Sequence, residues 1–185
     1  SNHGELTIAN DFDLPSQSIV ENTGVLKSKN MKIKSEGQFV NSGEVTLTGM
    51  LEMPAGSTFT NENKAKIVNF QGNASAVITN NGELRIEDAN ITNTTWFVNC
   101  RTFIDNMTVN GAVLNIATGA MLDVTDKAKF TSYSSTMSAL GDVAVARFEK
   151  VNLEGWNSVT YKGILTSQTK DPPVQNSGGK KQGQA

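Results

Sequence analysis

The chain has 185 residues, enough for one domain with a sizeable core. Its formal net charge of −2 excludes a broad electrostatic attraction to nucleic acid or to an anionic membrane surface. Hydrophobic residues at 37% and charged residues at 18% leave a large share to Asn, Thr, Ser and Gly, a mix that favours strands and turns over helices.

The predicted elements follow one pattern from the N-terminus. "NHGELTI" opens at Asn2, "NTGVLKS" at Asn22 and "NSGEVTL" at Asn41, each a polar corner followed by an alternating apolar run. "FTNENKAKI" (Phe59 to Ile67) aligns without gaps on "FVNSGEVTL" (Phe39 to Leu47) and puts Asn63 where the others have glycine. "NNGELRI" opens at Asn80. The anchors Gly4, Gly24, Gly43, Asn63 and Gly82 are thus 19 or 20 residues apart. The same step reaches Arg101 and Ala120, and a step of 21 reaches Gly141. The anchor is expected at positive φ, which glycine adopts freely and Asn tolerates. Arg101 and Ala120 are poor at it, so there the corner relaxes or the register slips by one.

Columns around the anchors support the alignment. Two residues after each anchor stand Leu6, Leu26, Val45, Ala65, Leu84, Phe103, Leu122 and Val143. Four after it stand Ile8, Ser28, Leu47, Ile67, Ile86, Asp105, Val124 and Val145. Four before it stand Val20, Phe39, Phe59, Ile78, Phe97, Ile116 and Met137. Two before it stand Asn2, Asn22, Asn41, Asn61, Asn80 and Asn99, then Thr118. Period 2 within runs means strand, and a period near ~19 between runs means a solenoid. Asn-x-Gly also suits a hairpin turn, but hairpins would not keep a constant period. No Leu-x-x-Leu-x-Leu consensus points to a leucine-rich repeat. The expected fold is all-β: a single right-handed parallel β-helix of about eight ~19–20-residue coils, roughly 38 Å long at ~4.8 Å per coil. The Asn column is expected to form a buried amide ladder along the axis, and the apolar columns the interior.

Two domains of behaviour are expected: residues 1–166 as the β-helix and 167–185 as a disordered polar tail or linker. The coil from Gly141 carries Trp156 and Tyr161, suited to capping the solenoid end. The chain starts without Met, in mid-repeat and without a cap, so further coils or another domain are expected before Ser1.

The run of Asn-x-Gly-x-Leu/Val coils, followed by "NGAVLNIATGAMLDVTDKAKF" (Asn110 to Phe130) and a terminal coil, resembles repeat regions of large Bacteroidetes surface proteins. LruC-domain-type proteins and similar adhesin-like β-helix proteins are the ones it is similar to. The resemblance covers roughly residues 2 to 165. It implies an exported location on a bacterial surface and brings no functional residues.

The outward columns hold the side chains available for chemistry. One after the anchor stand Glu5, Val25, Glu44, Lys64, Glu83, Thr102, Met121 and Asp142. Three after it stand Thr7, Lys27, Thr46, Lys66, Arg85, Ile104 and Asp123. Parallel β-helix enzymes of the pectate-lyase or polygalacturonase kind place Asp, Lys or Arg clusters in a groove walled by long loops. Here Glu44, Lys64 and Glu83 alternate in sign, and no loop is long enough to wall a cleft. Lys27, Lys66 and Arg85 offer the best contact for an acidic glycan. The cluster Lys27, Lys29, Lys32 and Lys34 reads as a solvated strand face. His3 and Cys100 are single and lack partners for a zinc site or a nucleophile–base pair. Asn-x-Ser/Thr triplets at Asn73, Asn90, Asn93 and Asn106 are expected by chance. No apolar run spans a bilayer, and no signal peptide is visible.

The expectation is therefore a non-enzymatic extracellular module, a rigid spacer or adhesive surface. It has no catalytic, metal-binding or cofactor residues, and its partner is a glycan or another surface protein, not nucleic acid or membrane. A polysaccharide-binding or polysaccharide-cleaving domain is the alternative. Outward aromatics would favour that alternative, and the aligned columns place almost none outside.

Overall fold

The computed structural model describes residues 1–131, 136–139, 144–155, 158–161, 164–167 and 180–183, with side chains described for 1–131, 136, 137 and 144–148. The strands are β1 (Glu5–Leu14), β2 (Ile19–Asn22), β3 (Val25–Ile33), β4 (Gln38–Asn41), β5 (Glu44–Met53), β6 (Thr58–Asn61), β7 (Lys64–Gly72), β8 (Val77–Asn80) and β9 (Glu83–Thr92). They continue as β10 (Thr95–Val98), β11 (Arg101–Asn110), β12 (Val113–Ile116), β13 (Met121–Thr131), β14 (Thr136–Ala139), β15 (Val145–Gly155), β16 (Ser158–Tyr161), β17 (Ile164–Ser167) and β18 (Lys180–Gly183). Among the described residues there is no helix.

The odd-numbered strands and β18 form one ten-stranded sheet, in chain order. The even-numbered strands β2 to β16 form a second, eight-stranded sheet. Most pairs are parallel partners one coil apart, so each turn contributes one long and one short strand, and the chain is a parallel β-solenoid of about seven turns. Segment 167–185, expected as a disordered tail, lies largely outside the described residues. Within it, Lys180–Gly183 is a strand parallel to β17. Gly141, Asp142, Val143 and Trp156, expected to cap the solenoid end, lie outside the described residues.

The corner works differently from the expectation. None of Gly4, Gly24, Gly43, Asn63 and Gly82 stands among the positive-φ residues. Glycine is needed there for space. A Cβ on Gly24 would lie 2.0 Å from the Gly4 carbonyl oxygen, one on Gly43 2.0 Å from that of Gly24, and one on Gly82 2.0 Å from that of Asn63. At these three corners the stacked chains approach too closely for a side chain. Where Asn63 replaces glycine, the corner loosens: Lys64 N–H reaches the Gly43 carbonyl at 3.3 Å, against 2.8 Å for Val25 on Gly4 and 2.9 Å for Glu44 on Gly24. The left-handed residues mostly occupy the other corner, between long and short strand: Gln17, Glu36, Gly56, Ser75, Asn93 and Gly111; the exception is Gly119, one residue before Ala120 in the short-to-long corner. Four of those six are not glycine, so no sequence signal marked the column.

Inside, four columns stack through the first five coils as expected. Val20, Phe39, Phe59 and Ile78 pair in turn, as do Leu6, Leu26, Val45, Ala65 and Leu84. Phe39 and Phe59 are fully buried, with rings 5.8 Å apart and nearly parallel. Asn22, Asn41, Asn61 and Asn80 are also buried. The Nδ2 of Asn2, Asn22, Asn41 and Asn61 donates to the Oδ1 of the next Asn at 2.8, 2.7, 2.8 and 2.8 Å. Each of these amides also donates to a carbonyl of its own corner and to one in the next coil, such as Asn41 to Gly43 and Lys64. A buried amide so placed keeps no unmet donor.

The register slips at the sixth coil, one of the two outcomes that Arg101 implied. Four residues separate Gly72 from Val77, but three separate Ile91 from Thr95, whereas Gly72 pairs with Ile91 and Val77 with Thr95. The left-handed corner at Asn93 is one residue short, so β10 and β11 shift by one and β12 by two, whereas Met121, Leu122, Asp123, Val124 and Met137 stand in the columns expected of them. Trp96, not Phe97, pairs with Ile78 and Leu114, and Phe97 turns outward at 40% exposure. Val98 and then Ile116 take the column assigned to Asn99 and Thr118. Thr102 and Ile104 turn inward in place of Phe103 and Asp105. Past Ala120 the coil lengthens, so Ala146 and Phe148, not Val143 and Val145, continue the two long-strand columns. Asn99 instead donates from the surface to Asn81 Oδ1 at 2.7 Å.

The slip leaves two marks. Trp96 packs edge-on against Phe70, ring centres 5.2 Å apart. The buried Thr94 Oγ1 and Trp96 Nε1 have no hydrogen-bond partner among the described residues. The ladder also ends there: Asn80 donates to the Thr102 hydroxyl at 2.9 Å and to the Arg101 carbonyl at 2.9 Å. A hydroxyl turned inward by the slip thus accepts the last donor of the amide stack. Coils of 19 and 20 residues are reconciled within the long strands, where the register shifts between Ser28 and Met31 and between Leu47 and Met50.

Candidate functional site

Alternation in the long strands turns every second side chain outward, and parallel pairing sets these side chains one coil apart. The first outward column runs Glu5, Val25, Glu44, Lys64 and Glu83. After the slip it continues with Arg101, Met121 and Val145 in place of Thr102 and Asp142. Lys64 Nζ lies 3.9 Å from Glu44 Oε1, the cross-coil compensation its alternating signs implied.

The basic cluster on β3 is largely neutralised by neighbouring coils. Lys27 Nζ bonds Glu5 Oε1 at 2.7 Å, Lys32 Nζ bonds Glu52 Oε1 at 2.7 Å, and Lys34 Nζ lies 3.6 Å from Asp13 Oδ2. The hydrogen bond and charge of Lys27 hold the Glu5 carboxyl below its ordinary value. Glu5 and Glu52, by the same means, hold Lys27 and Lys32 above the ordinary amine value. These side chains are about half exposed to solvent, so the pairs fix register more than they add stability.

The second outward column is Thr7, Lys27, Thr46, Lys66, Arg85, Phe103, Asp123 and Arg147. Phe103 stands where Ile104 was expected. The Arg85 guanidinium sits 4.3 Å from the centre of the Phe103 ring, and its Nε bonds Glu83 Oε1 at 2.9 Å. Asp123 is buried although it belongs to the outward column, because Arg147 folds over it with a forked bond to both carboxylate oxygens. Lys66, Arg85, Phe103, Glu87 and Asp105 line a shallow recess of about 190 Å³. Counting Glu83, which bonds Arg85, three carboxylates there outnumber two cations. The column singled out for acidic glycans is therefore not a cationic groove.

Farther along the long strands, Asp11, Asp13, Asn30, Lys32, Met50 and Glu52 line a recess of about 430 Å³. Its polar groups are mostly engaged with one another: Asn30 Nδ2 donates to Asp11 Oδ1 and Asn30 Oδ1 accepts the Met50 N–H, both at 2.8 Å. Among the described residues no group of three or more His, Cys, Asp or Glu side chains is placed to hold a metal ion. His3 bonds the Thr23 hydroxyl through Nδ1 at 2.6 Å. Cys100 is a half-buried free thiol. Among the described residues no helix is long and apolar enough to cross a membrane.

The outward face of the short-strand sheet was not foreseen. From β4 to β12 its positions are Gln38, Val40, Thr58, Thr60, Val77, Thr79, Thr95, Phe97, Val113 and Asn115, without one formal charge. Phe97 and Val113 are its large exposed apolar side chains. The signal in the sequence was "TWFV" (Thr95 to Val98), where consecutive aromatics cannot both face inward. Fixed spacing from Gly82 chose the wrong one.

Comparison with protein-family models, with curated proteins and with solved structures finds no match to this chain.

Proposed function

We propose that this chain is a non-enzymatic module displayed outside a bacterial cell, where it serves as a rigid spacer or adhesive surface. The reading includes membership in the LruC-domain-type, adhesin-like β-helix proteins of Bacteroidetes that its repeat resembles. One observation carries it: the specific polar contacts run along the axis, from coil to coil. The Asn ladder joins five successive coils. The pairs Lys27–Glu5, Lys32–Glu52 and Lys64–Glu44 bridge coils on the outside. Such a rod resists bending and shear between coils, and its charged face is largely spent on itself.

The test is incubation of the purified chain with pectin, alginate and heparin, with and without Ca²⁺, across about pH 5 to 9. The expected outcome is no release of unsaturated or reducing sugars. Turnover that disappears when Lys66 and Arg85 are neutralised would overturn the reading. The second reading, a polysaccharide-binding domain, is favoured by Phe97, the outward aromatic that the aligned columns had placed inside.

A further inference from the structure

We propose that the charge-free outward face of the short-strand sheet, centred on Phe97, binds an uncharged polysaccharide. The proposal rests on the adhesive reading and names the class of its ligand.

Three observations carry it. First, composition separates the two sheets. Outward columns of the long sheet are rich in Lys, Glu, Arg and Asp, whereas those of the short sheet from β4 to β12 carry no charge. An anionic chain laid there would lose hydration without meeting a counter-charge, and a neutral one avoids that cost. Second, Phe97 stands at 40% exposure between Thr79 and Asn115 of the adjacent coils. An exposed ring offers apolar surface to the C–H face of a pyranose. Third, the flanking Thr60, Thr79, Thr95 and Asn115 make no side-chain hydrogen bond among the described residues, and so have donors and acceptors to offer sugar hydroxyls. An apolar centre with a few convergent polar groups is the usual composition of a ligand-binding surface.

The area argues for a polymer rather than a second copy of this chain. Five strands at ~4.8 Å spacing span roughly 20 Å, and four residues at ~3.3 Å give roughly 13 Å of width. The resulting ~260 Å² is far below the ~800 Å² per partner of a stable interface. A repeating glycan needs no such area, because many rods on one surface engage one chain together.

The experiment is electrophoresis of the whole chain through gels holding a soluble β-glucan, a galactomannan or polygalacturonate. A neutral polymer should retard the protein, equally at low salt and at ~0.5 M salt. Phe97→Ala should weaken retardation about tenfold, as loss of an aromatic platform does. Its melting should stay unchanged, and K66Q/R85Q should bind like the unaltered chain. Three results would overturn the proposal: no retardation by either neutral polymer, retardation that survives in F97A, or retardation by polygalacturonate alone. Self-association lost in F97A without any retardation would also overturn it, in favour of a second copy. None of these failures touches the non-enzymatic reading, which depends on sugar release.

Discussion

The coils before Asn93 and those after it solve the same packing problem in two ways. Before it, the short strand ends in a buried amide, Asn22, Asn41, Asn61 or Asn80. After it, the same column holds Val98, Ile116 and then Ala139. An amide column satisfies itself only while it is unbroken, because every Nδ2 needs an Oδ1 one coil away. Once the Asn93 corner drops a residue, the phase is lost. The column then becomes aliphatic, and Thr102 closes the ladder. The difference teaches that the ladder belongs to a phase, not to a composition: Asn99 and Asn110 are present but stand outside it.

The largest expected effect comes from removing interior rings on either side. Phe59→Ala and Trp96→Ala should each cost ~3–5 kcal/mol in denaturant melts, because stacked coils hold the cavity open. Phe97→Ala, one residue from Trp96, should stay within about 0.5 kcal/mol. Equal losses at 96 and 97 would erase the slip. Next comes Asn61→Ala, which leaves Asn41 without its acceptor and Asn80 without its donor. It should cost ~1–3 kcal/mol, and a loss below half of that lower bound would count against the ladder. Thr102→Val should cost less, ~1 kcal/mol, since Asn80 keeps the Gly82 and Arg101 carbonyls.

The smallest effect is electrostatic. Glu5 titrates below its ordinary 4.5 when folded, so its contribution is present above that value and is lost as pH falls through the lowered pKa. Lys27 titrates above its ordinary 10.5, so its contribution is present below that value and is lost as pH rises through the raised pKa. Lys27→Gln should slightly flatten the acid limb of the stability curve, and added salt should do the same. A steep change in that limb would mean that the pair matters more than a solvated pair can.

Much of this was legible because strand alternation and a constant period leave little freedom. Phe39, Phe59 and Ile78 fell into one interior row on spacing alone, as did the asparagines through Asn80. Two features were hidden. The glycine of each corner was read as a dihedral need, whereas it answers a carbonyl 2.0 Å from where a Cβ would be, a contact between residues 20 apart for Gly24 and Gly4. The slip was hidden because it arises in a corner whose left-handed residues are chemically mixed, Gln17, Glu36, Ser75 and Asn93. Counting from Gly82 carried the old phase onto Phe97, Phe103 and Asp105. The charge-free face stayed unseen for the same reason, since its central residue had been assigned to the core.

Which of the adjacent aromatics Trp96 and Phe97 lies inside decides the phase of the coil after Asn93. With Trp156 changed to Phe, Trp96 is the only tryptophan in the chain. Its fluorescence should be blue-shifted and nearly immune to acrylamide in the native state, then become fully quenchable on unfolding, as befits a ring with 1% exposure. Native emission quenched as readily as in denaturant would put Trp96 outside and Phe97 inside, and would contradict the slip, the end of the ladder and the uncharged binding face together.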